Sequence, residues 1–439
     1  MRKTLILLLV ALAPLAIHAQ QRVPLSRAVA LALEQNEQIR EARLGVRQAE
    51  LDVAKAKASR LPSLDFSTSY SYLSDLMSIN LPSLPGIPAR TITFGDHDIM
   101  ETGITVSMPL FTGFKLSALQ DIQEQKALLA REDTRAAANR VRFLTITVYR
   151  MSQMWQRTDQ LLAAGEAQLS KRLRTARALV EQGQILAADT LDISTRLQEI
   201  RIQRLHAQQQ QRYYIFRISQ LTGLPESIEV EPDTLAKGLL PAVDEQTLLS
   251  TAFANLPEMK KLDLSRRLTN ARKKAESSAF YPSVFIAGSY KYGRPGLDQI
   301  ANEWMDYWTA GVRLEWNLFR WGSDVREQEK LDLELQKLNF RDALLRKQVA
   351  EKLRAARIEL EDKQQAITLL ESKQAMQQEK FDIVQARFAR GMATSTELVD
   401  AETALTQTTI RMHQTVIEYQ LKNAELEYIA GTPLTGEQQ

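Results

Sequence analysis

Two stretches of this chain carry one plan. "ARALVEQGQILAADTLDIST", starting at Ala176, has Gly183, Asp189 and Asp192 where "ARFARGMATSTELVDAETAL" (386–405) has Gly391, Glu397 and Asp400, each pair 208 residues apart. The correspondence extends well beyond these stretches. "GITVSMPLFTGF" (103–114) answers "GVRLEWNLFRWG" (311–322), and "LTGLP" ending at Pro225 answers "IAGTP" ending at Pro433. Further upstream, "SRLPSLDFSTSYSY" (59–72) answers "AFYPSVFIAGSYKY" (279–292). The protein is two copies of a unit of roughly 200 residues, far longer than a solenoid repeat.

Within each copy the hydrophobic period switches. Residues 24–60 are rich in Ala, Leu, Glu, Gln, Arg and Lys with apolar positions three and four apart, which predicts a helix. After Pro62 the period drops to two: Leu64, Phe66, Thr68, Tyr70 and Tyr72 alternate with Asp65, Ser67, Ser69 and Ser71. Met100, Thr102, Ile104, Val106, Met108 and Leu110 do the same against Glu101, Gly103, Thr105 and Ser107. In the second copy Val284, Ile286, Tyr290 and Tyr292 alternate with Ala287, Ser289 and Lys291, with Phe285 breaking the pattern. Trp308, Val312, Leu314, Trp316 and Leu318 alternate with Thr309, Gly311, Arg313, Glu315 and Asn317.

Four strands of about 10 residues each have the length that crosses a bilayer when tilted. A half-buried soluble sheet shows the same alternation. Two details favour the membrane. Aromatics gather at strand ends (Tyr70, Tyr72, Tyr290, Tyr292, Trp308, Trp316), as in an interfacial girdle, and the loops 74–97 and 293–306 are long on one side only. Four strands cannot enclose themselves, because an open edge in lipid leaves backbone groups unsatisfied. Eight strands from two copies would enclose a filled interior, and twelve from three copies a channel.

Each second strand leads into a proline-free helical tract broken only at Gly183 or Gly391. At about 1.5 Å per residue, its first arm would reach on the order of 100 Å. The expected organisation is therefore as follows. The first repeat, 20–224, holds a helix, strands 64–73 and 98–110, and helices 111–182 and 184–222. A linker or equatorial segment, 225–243, carries Pro225, Pro232 and Pro241. The second repeat, 244–434, holds a helix, strands 284–292 and 308–318, and helices 319–390 and 395–431, before a tail at 435–439. The fold class is α+β.

The N-terminus, 1–19, reads Arg2-Lys3, an apolar run from Leu5 to Ile17, then Ala19, which is the pattern of a cleaved signal peptide. A short membrane anchor is the alternative, but the run falls short of the roughly 20 residues a span needs. Without any cysteine, an exported chain has no disulfide, thiolate metal site or lipidated cysteine to rely on. A net charge of +3 over 439 residues leaves no nucleic-acid footprint.

These residues resemble the TolC family of outer-membrane efflux proteins, or outer membrane factors, over nearly the whole mature length. The likeness rests on the two-fold repeat, "RLPSL" before the first strand, "PLFTG" after the second, "GLP" closing the first half, and "ARFARGMATSTELVDAETAL". The resemblance implies a homotrimer with a 12-stranded barrel in the outer membrane of a Gram-negative bacterium, continued by a long α-helical tunnel in the periplasm. It implies a passive export duct for an efflux or type I secretion system, fed by an inner-membrane pump through a periplasmic adaptor protein. No cysteine follows the signal peptide, unlike lipid-anchored relatives.

On that plan Gly183 and Gly391, with Gln182 and Arg390, mark the membrane-distal tips where the adaptor docks. A glycine there first serves as a C-cap. Asp400 and Glu397, with Asp189 and Asp192 in the first repeat, would line the constriction as rings of carboxylates. Thr394 and Glu397 also fit a capping box, which is a structural use of the same acid. Ala393 stands where relatives often carry a basic residue tying the tip shut.

Nothing points to catalysis, a metal or a cofactor. His97, His206 and His413 lack ligand spacing, and no Gly-x-x-x-x-Gly-Lys, Gly-x-Ser-x-Gly or His-Glu-x-x-His pattern occurs. Two rivals remain at this level. A general diffusion porin would account for the strands but not the helices, and a periplasmic coiled-coil scaffold for the helices but no pore.

Overall fold

In the computed structural model, residues 22–83, 85–86, 88–184, 186–232, 244–298 and 302–431 are described. The expected signal peptide (1–19), most of the expected linker (225–243) and the tail (435–439) lie outside them. In chain order the elements are β1 (Arg22–Val23), α1 (Leu25–Gln35), α2 (Glu37–Ala58), β2 (Ser63–Tyr72), β3 (Met77–Leu81), β4 (Arg90–Phe94) and β5 (Asp98–Thr112). Then follow α3 (Lys115–Glu181), α4 (Ala187–Thr222), β6 (Glu229–Val230), α5 (Glu245–Asn255) and α6 (Pro257–Ser277). The chain ends with β7 (Ser283–Arg294), β8 (Met305–Glu315), α7 (Ser323–Ala389) and α8 (Ser395–Ala430).

Two compact units result. One gathers Met1–Glu41, Arg135–Leu256 and Lys347–Gln439, the other Ala42–Thr134 and Pro257–Arg346. In the second unit β2, β5, β7 and β8 form one antiparallel sheet in that order, with β2 and β8 at its edges. The register opposes Phe66 to Ile104, Ile104 to Tyr290, and Tyr290 to Trp308. Because side chains alternate across a strand, this puts Leu64, Phe66, Tyr70, Val106, Ile286, Tyr290, Trp308 and Val312 on one face. Ser67, Ser69, Glu101, Thr105, Ser289, Lys291, Tyr307 and Thr309 share the other. On that polar face Lys291 Nζ donates to Glu101 Oε1 at 2.7 Å and the Tyr307 hydroxyl donates to Glu101 Oε2 at 2.9 Å. Helices of the same unit pack through Ala118, Ile122, Leu268, Ala271 and Ala275.

Two of the apolar clusters in the first unit tie α3 to its neighbours. One joins α1, α3 and α4 through Ala28, Ala32, Val141, Val148, Tyr149 and Ile218. There the Tyr149 hydroxyl donates to the Val23 carbonyl (2.7 Å) and accepts from the Glu231 amide (3.0 Å), which fastens the β1–β6 parallel pair to α3. The other cluster, Leu162, Leu169, Leu173, Ile193, Leu197, Ile200 and Val399, joins α3, α4 and α8.

Several boundaries differ from the sequence reading: α4 starts at 187 rather than 184, β5 ends at 112 rather than 110, β7 runs 283–294 rather than 284–292, and the helix expected to open the second repeat is the pair α5 and α6. The helix expected over 24–60 is two helices, because Asn36 closes α1 by donating its amide to the Ala32 carbonyl (3.1 Å) and caps α2 by accepting the Gln38 amide on Oδ1 (3.0 Å). The loop 74–97 contains a hairpin, with Met77–Leu81 paired to Arg90–Phe94. The long helices start at Lys115 and Ser323 rather than 111 and 319, because Gly113–Phe114 and Trp321–Gly322 turn through positive φ first. A Cβ on Gly113 would lie 2.8 Å from the Ser278 carbonyl oxygen, so that turn requires glycine. Finally, β8 runs Met305–Glu315, not 308–318. Its last partner is Ser283, and Pro282 before it has no amide with which to extend the ladder.

Candidate functional site

The two hairpin turns of the first unit are built alike. Gly183 (φ 72°) and Gly391 (φ 73°) are left-handed. Gly183 donates to the Val180 carbonyl and Gln184 to that of Leu179, while Gly391 donates to Phe388 and Met392 to Arg387, all at 2.9 Å. Both are Schellman caps, with the glycine one position past the C-cap residue and two past the last helical one. Gln182 and Arg390 sit just before the glycines, both exposed. At the second turn the Arg387 guanidinium also donates to the Met392 carbonyl (3.0 Å), a cation placed at a helix C-terminus.

The returning helices begin differently. At α8 the Thr394 amide donates to Glu397 Oε2 (2.9 Å) and the Glu397 amide donates to Thr394 Oγ1 (3.1 Å), a complete capping box. One oxygen of Glu397 is thus committed to the backbone, which weakens it as a freely facing acid. At α4 the N-cap is Leu186, whose side chain caps nothing, and Asp189 sits in the first turn only as a charge favourable to the helix dipole.

Asp192 is exposed on α4. Asp400 is exposed on α8, with Oδ1 3.7 Å from Arg196 Nη2 of α4, and Arg196 in turn holds Glu199 at 2.6 Å. The structure therefore brings Asp400 to α4, and the partner is a cation that spacing alone did not pick out.

The sequence reading also passed over Glu402. This carboxylate, on α8 two residues beyond Asp400, is only 5% exposed. Arg172 of α3 places Nη2 2.8 Å from its Oε2, yet neither carboxylate oxygen accepts a hydrogen bond among the described residues. Burial pushes its pKa up, and Arg172 pulls it down by less. The signal was available: Glu402 falls three residues after Val399 and four after Leu398, both buried, and so on the apolar stripe of its helix.

In the second unit the predicted interface aromatics fall at the two ends of the sheet. At one end the Tyr70 hydroxyl donates to Asp98 (2.7 Å) and that of Tyr290 to Asp306 (3.0 Å), while Tyr72 stacks on His97 and Tyr292 on Trp304. Trp308 lies opposite Tyr290 there. At the other end Trp316 falls just past β8, near contacts of Phe319 with Trp321, Phe111 with Phe114, and Phe114 with Tyr281. A rise of roughly 3.3 Å per residue puts about 30 Å of strand between Tyr281 and Tyr290. A tilt of about 40° shortens that to the height of a membrane apolar band. None of the described helices is long and apolar enough to cross a membrane.

Comparison with known proteins agrees with this geometry. The sequence profile of the outer membrane efflux protein family matches residues 28–224 and 248–432, one segment in each repeat. No curated protein matches the chain. Among solved structures, the Campylobacter jejuni CmeC outer membrane channel has a TM-score of 0.77 at 16% identity, over 94% of this chain and 87% of that one. The open state of the Neisseria gonorrhoeae MtrE outer membrane channel has a TM-score of 0.74 at 17% identity, over 94% and 90%. CusC, solved in a study of its folding and transmembrane channel formation, has a TM-score of 0.77 at 18% identity, over 93% and 92%. With both repeats matched by the family profile and the fold shared along nearly the whole chain, this protein belongs to the outer membrane efflux protein family.

Proposed function

We propose that three copies of this chain form the outer-membrane duct of a tripartite efflux or type I secretion system. The observation that carries this reading is the four-stranded sheet, which has one apolar face rimmed by aromatics, one polar face and two edges that no strand pairs among the described residues. In lipid those edges must be closed by other copies. Eight strands from two copies would have an interior filled by side chains, whereas twelve leave a water channel. The polar face, with Lys291, Glu101, Arg313 and Glu315, suits a wet lumen. The apolar residues then meet lipid.

The helices extend the duct on the periplasmic side. Its turns at Gly183 and Gly391, with Gln182 and Arg390, are the docking surface for a periplasmic adaptor, which connects the duct to an inner-membrane pump. Around the three-fold axis, Asp400 forms the main carboxylate ring, supported by Glu397, Asp192 and Asp189. Like charges crowded on an axis favour cations and set which ions pass. The duct moves its substrate passively.

Planar-bilayer recording of the purified protein beside a Glu397→Ala/Asp400→Ala variant tests this reading. A small cation-preferring conductance that grows or loses its preference in the variant is expected. A large conductance indifferent to both substitutions would mark an open porin, and no conductance at all a scaffold.

A further inference from the structure

In the second unit the helices that adjoin the sheet pack in the same order as its strands, β2, β5, β7, β8. α3 meets α2 through Arg131, whose Nη2 lies 3.0 Å from Glu50 Oε1. It meets α6 through Ala118 and Ile122, packed on Leu268, Ala271 and Ala275, and through Asp133, 2.6 Å from Lys261. α6 in turn meets α7, where Arg266 lies 3.3 Å from Asp342. The row ends at α2 and β2 on one side and at α7 and β8 on the other.

The internal repeat lays this row over itself. Advancing α2 and β2 by 220 residues gives α6 and β7, and advancing β5 and α3 by 208 gives β8 and α7. The strand registers obey the rule: Ser63 opposite Ser107 becomes Ser283 opposite Glu315. Applied to the inner junction, where β5 and α3 meet β7 and α6, the same shifts set β8 and α7 of one copy against β2 and α2 of a second. Three features of the free edges agree. Leu264 and Ala271 of α6 are buried, whereas their counterparts Leu44 and Leu51 of α2 are exposed. A Cβ on Gly103 of β5 would lie 2.8 Å from the Tyr290 carbonyl oxygen, whereas its counterpart Gly311 on β8 has nothing within 4 Å. Asp133 and Lys261 have as counterparts Arg341 and Glu41, which are opposite charges with the signs exchanged. Both are exposed, and neither has an ion pair or side-chain hydrogen bond among the described residues.

We propose that Glu41, Arg341 and Gly311 admit a second copy of this chain at the β8 edge in a single register. β8 pairs antiparallel with the β2 of the second copy, Gly311 opposite its Ser71 and Arg313 opposite its Ser69, while Arg341 pairs with its Glu41. This rests on the reading of the chain as one of several that close a barrel. The exchanged signs make the seam selective. An α6 laid against the free side of α7 would bring Lys261 to Arg341, like against like, so the inner and outer junctions cannot be interchanged. The turns below the strands fall outside the correspondence, since Trp321 stands where Gly113 packs on Ser278.

The chain has no cysteine, so introduced thiols report alone. Within one sheet β2 and β8 are three strand spacings apart, about 14 Å, too far for a disulfide. Full-length S69C/R313C purified from membranes should form covalent multimers on mild oxidation, seen on a non-reducing denaturing gel. The yield should be about tenfold that of T68C/R313C, whose thiols point to opposite faces. S67C/E315C makes the same test should S69C/R313C fail to fold. E41K or R341E alone should each speed dissociation of the oligomer in detergent about fivefold, and E41K/R341E in one chain should restore the wild-type rate. An oligomer that cross-links in T68C/R313C instead, or in none of these variants, overturns the register. A double reversal as damaging as the two single changes multiplied overturns the charge pair. A wild-type chain that is monomeric in detergent sinks the duct reading, and this seam with it.

Discussion

The two long hairpins are identical in length and register, with α3 and α7 both 67 residues and α4 and α8 both 36. Their surroundings are not. Toward its turn α3 buries Leu162, Leu169, Leu173 and Ala176, whereas the corresponding Leu370, Gln377 and Phe381 of α7 are only half-buried and Val384 alone matches. Along its length α7 exposes Leu333, Phe340, Leu344, Ile358, Leu369, Met376 and Ile383, an apolar display that α3 lacks. Large exposed apolar surface on a folded chain marks an interface. Duplication supplied one scaffold twice, and divergence left the first long helix largely covered by its own chain and the second with an exposed apolar face.

The ties within each hairpin diverge as well. In the first, Glu166 of α3 accepts from Arg201 (2.8 Å) and Arg204 (2.9 Å) of α4, and Arg204 also reaches Asp159 (3.0 Å). At the equivalent place in the second, Gln374 donates to Thr409 at 3.1 Å, a neutral bond in place of an ionic ladder. Near its turn α8 is thus bound to α3 and α4 by two ion pairs, Arg172–Glu402 and Arg196–Asp400, and to α7 by a small apolar patch of Val384, Leu398 and Ala401 with Phe381 and Ala393.

The largest effect is expected on assembly. Phe340→Glu with Leu344→Glu should abolish the oligomer on native electrophoresis in mild detergent, since the α3 counterparts are already Glu132 and Ala136. Leu128→Glu on α3 should leave it intact, and equal sensitivity of the two helices would erase the distinction.

A smaller effect separates the ladders. Glu166→Gln should lower stability by about 1 kcal/mol at neutral pH, since its partners are partly solvated. Gln374→Ala should cost no more than that. Hydrogen bonds from Arg201 and then Arg204 hold the Glu166 pKa below the ordinary value. Its contribution is therefore present above the unfolded-state pKa and lost as pH falls through the folded one. The gap between Glu166→Gln and wild type, read as thermal midpoints in detergent, should close in acid.

Glu402 is shifted the other way, so its folded form favours the proton, and the stability it supplies at low pH disappears as pH rises. Glu402→Gln should therefore be no less stable than wild type at neutral pH and equal to it in acid. A neutral-pH loss matching that of Glu166→Gln would contradict the opposite signs.

The smallest effect is at the turns. Thr394→Ala removes the capping box and should cost about 1 kcal/mol, visible as faster exchange in the first turn of α8. Leu186→Thr should slow exchange in the first turn of α4 by a comparable amount. If neither change registers, the two helix starts are equivalent despite their different caps.

Much of this was legible in the sequence. The 208-residue spacing and the switch of hydrophobic period announced two repeats, each a pair of strands followed by a helical hairpin, and glycine marked both turns. What escaped was set by position in space. Asn36 reads as a helix former's neighbour until its two hydrogen bonds are seen, and the hairpin at 77–94 hides in a proline-rich loop. At the tip, Asp400 was legible as an acid, but Arg196 and Arg172 lie on other helices at separations no local pattern encodes. The exposed face of α7 was invisible for the same reason, since burial depends on what the rest of the chain covers.

The most direct measurement is the mass of the detergent-solubilised wild-type particle by native mass spectrometry. A particle of three chains, each of 49.8 kDa less any processed leader, is expected. A stable monomer with its helices intact would contradict the central claim, because the apolar face of α7 and the open edges of the sheet would then need no partner.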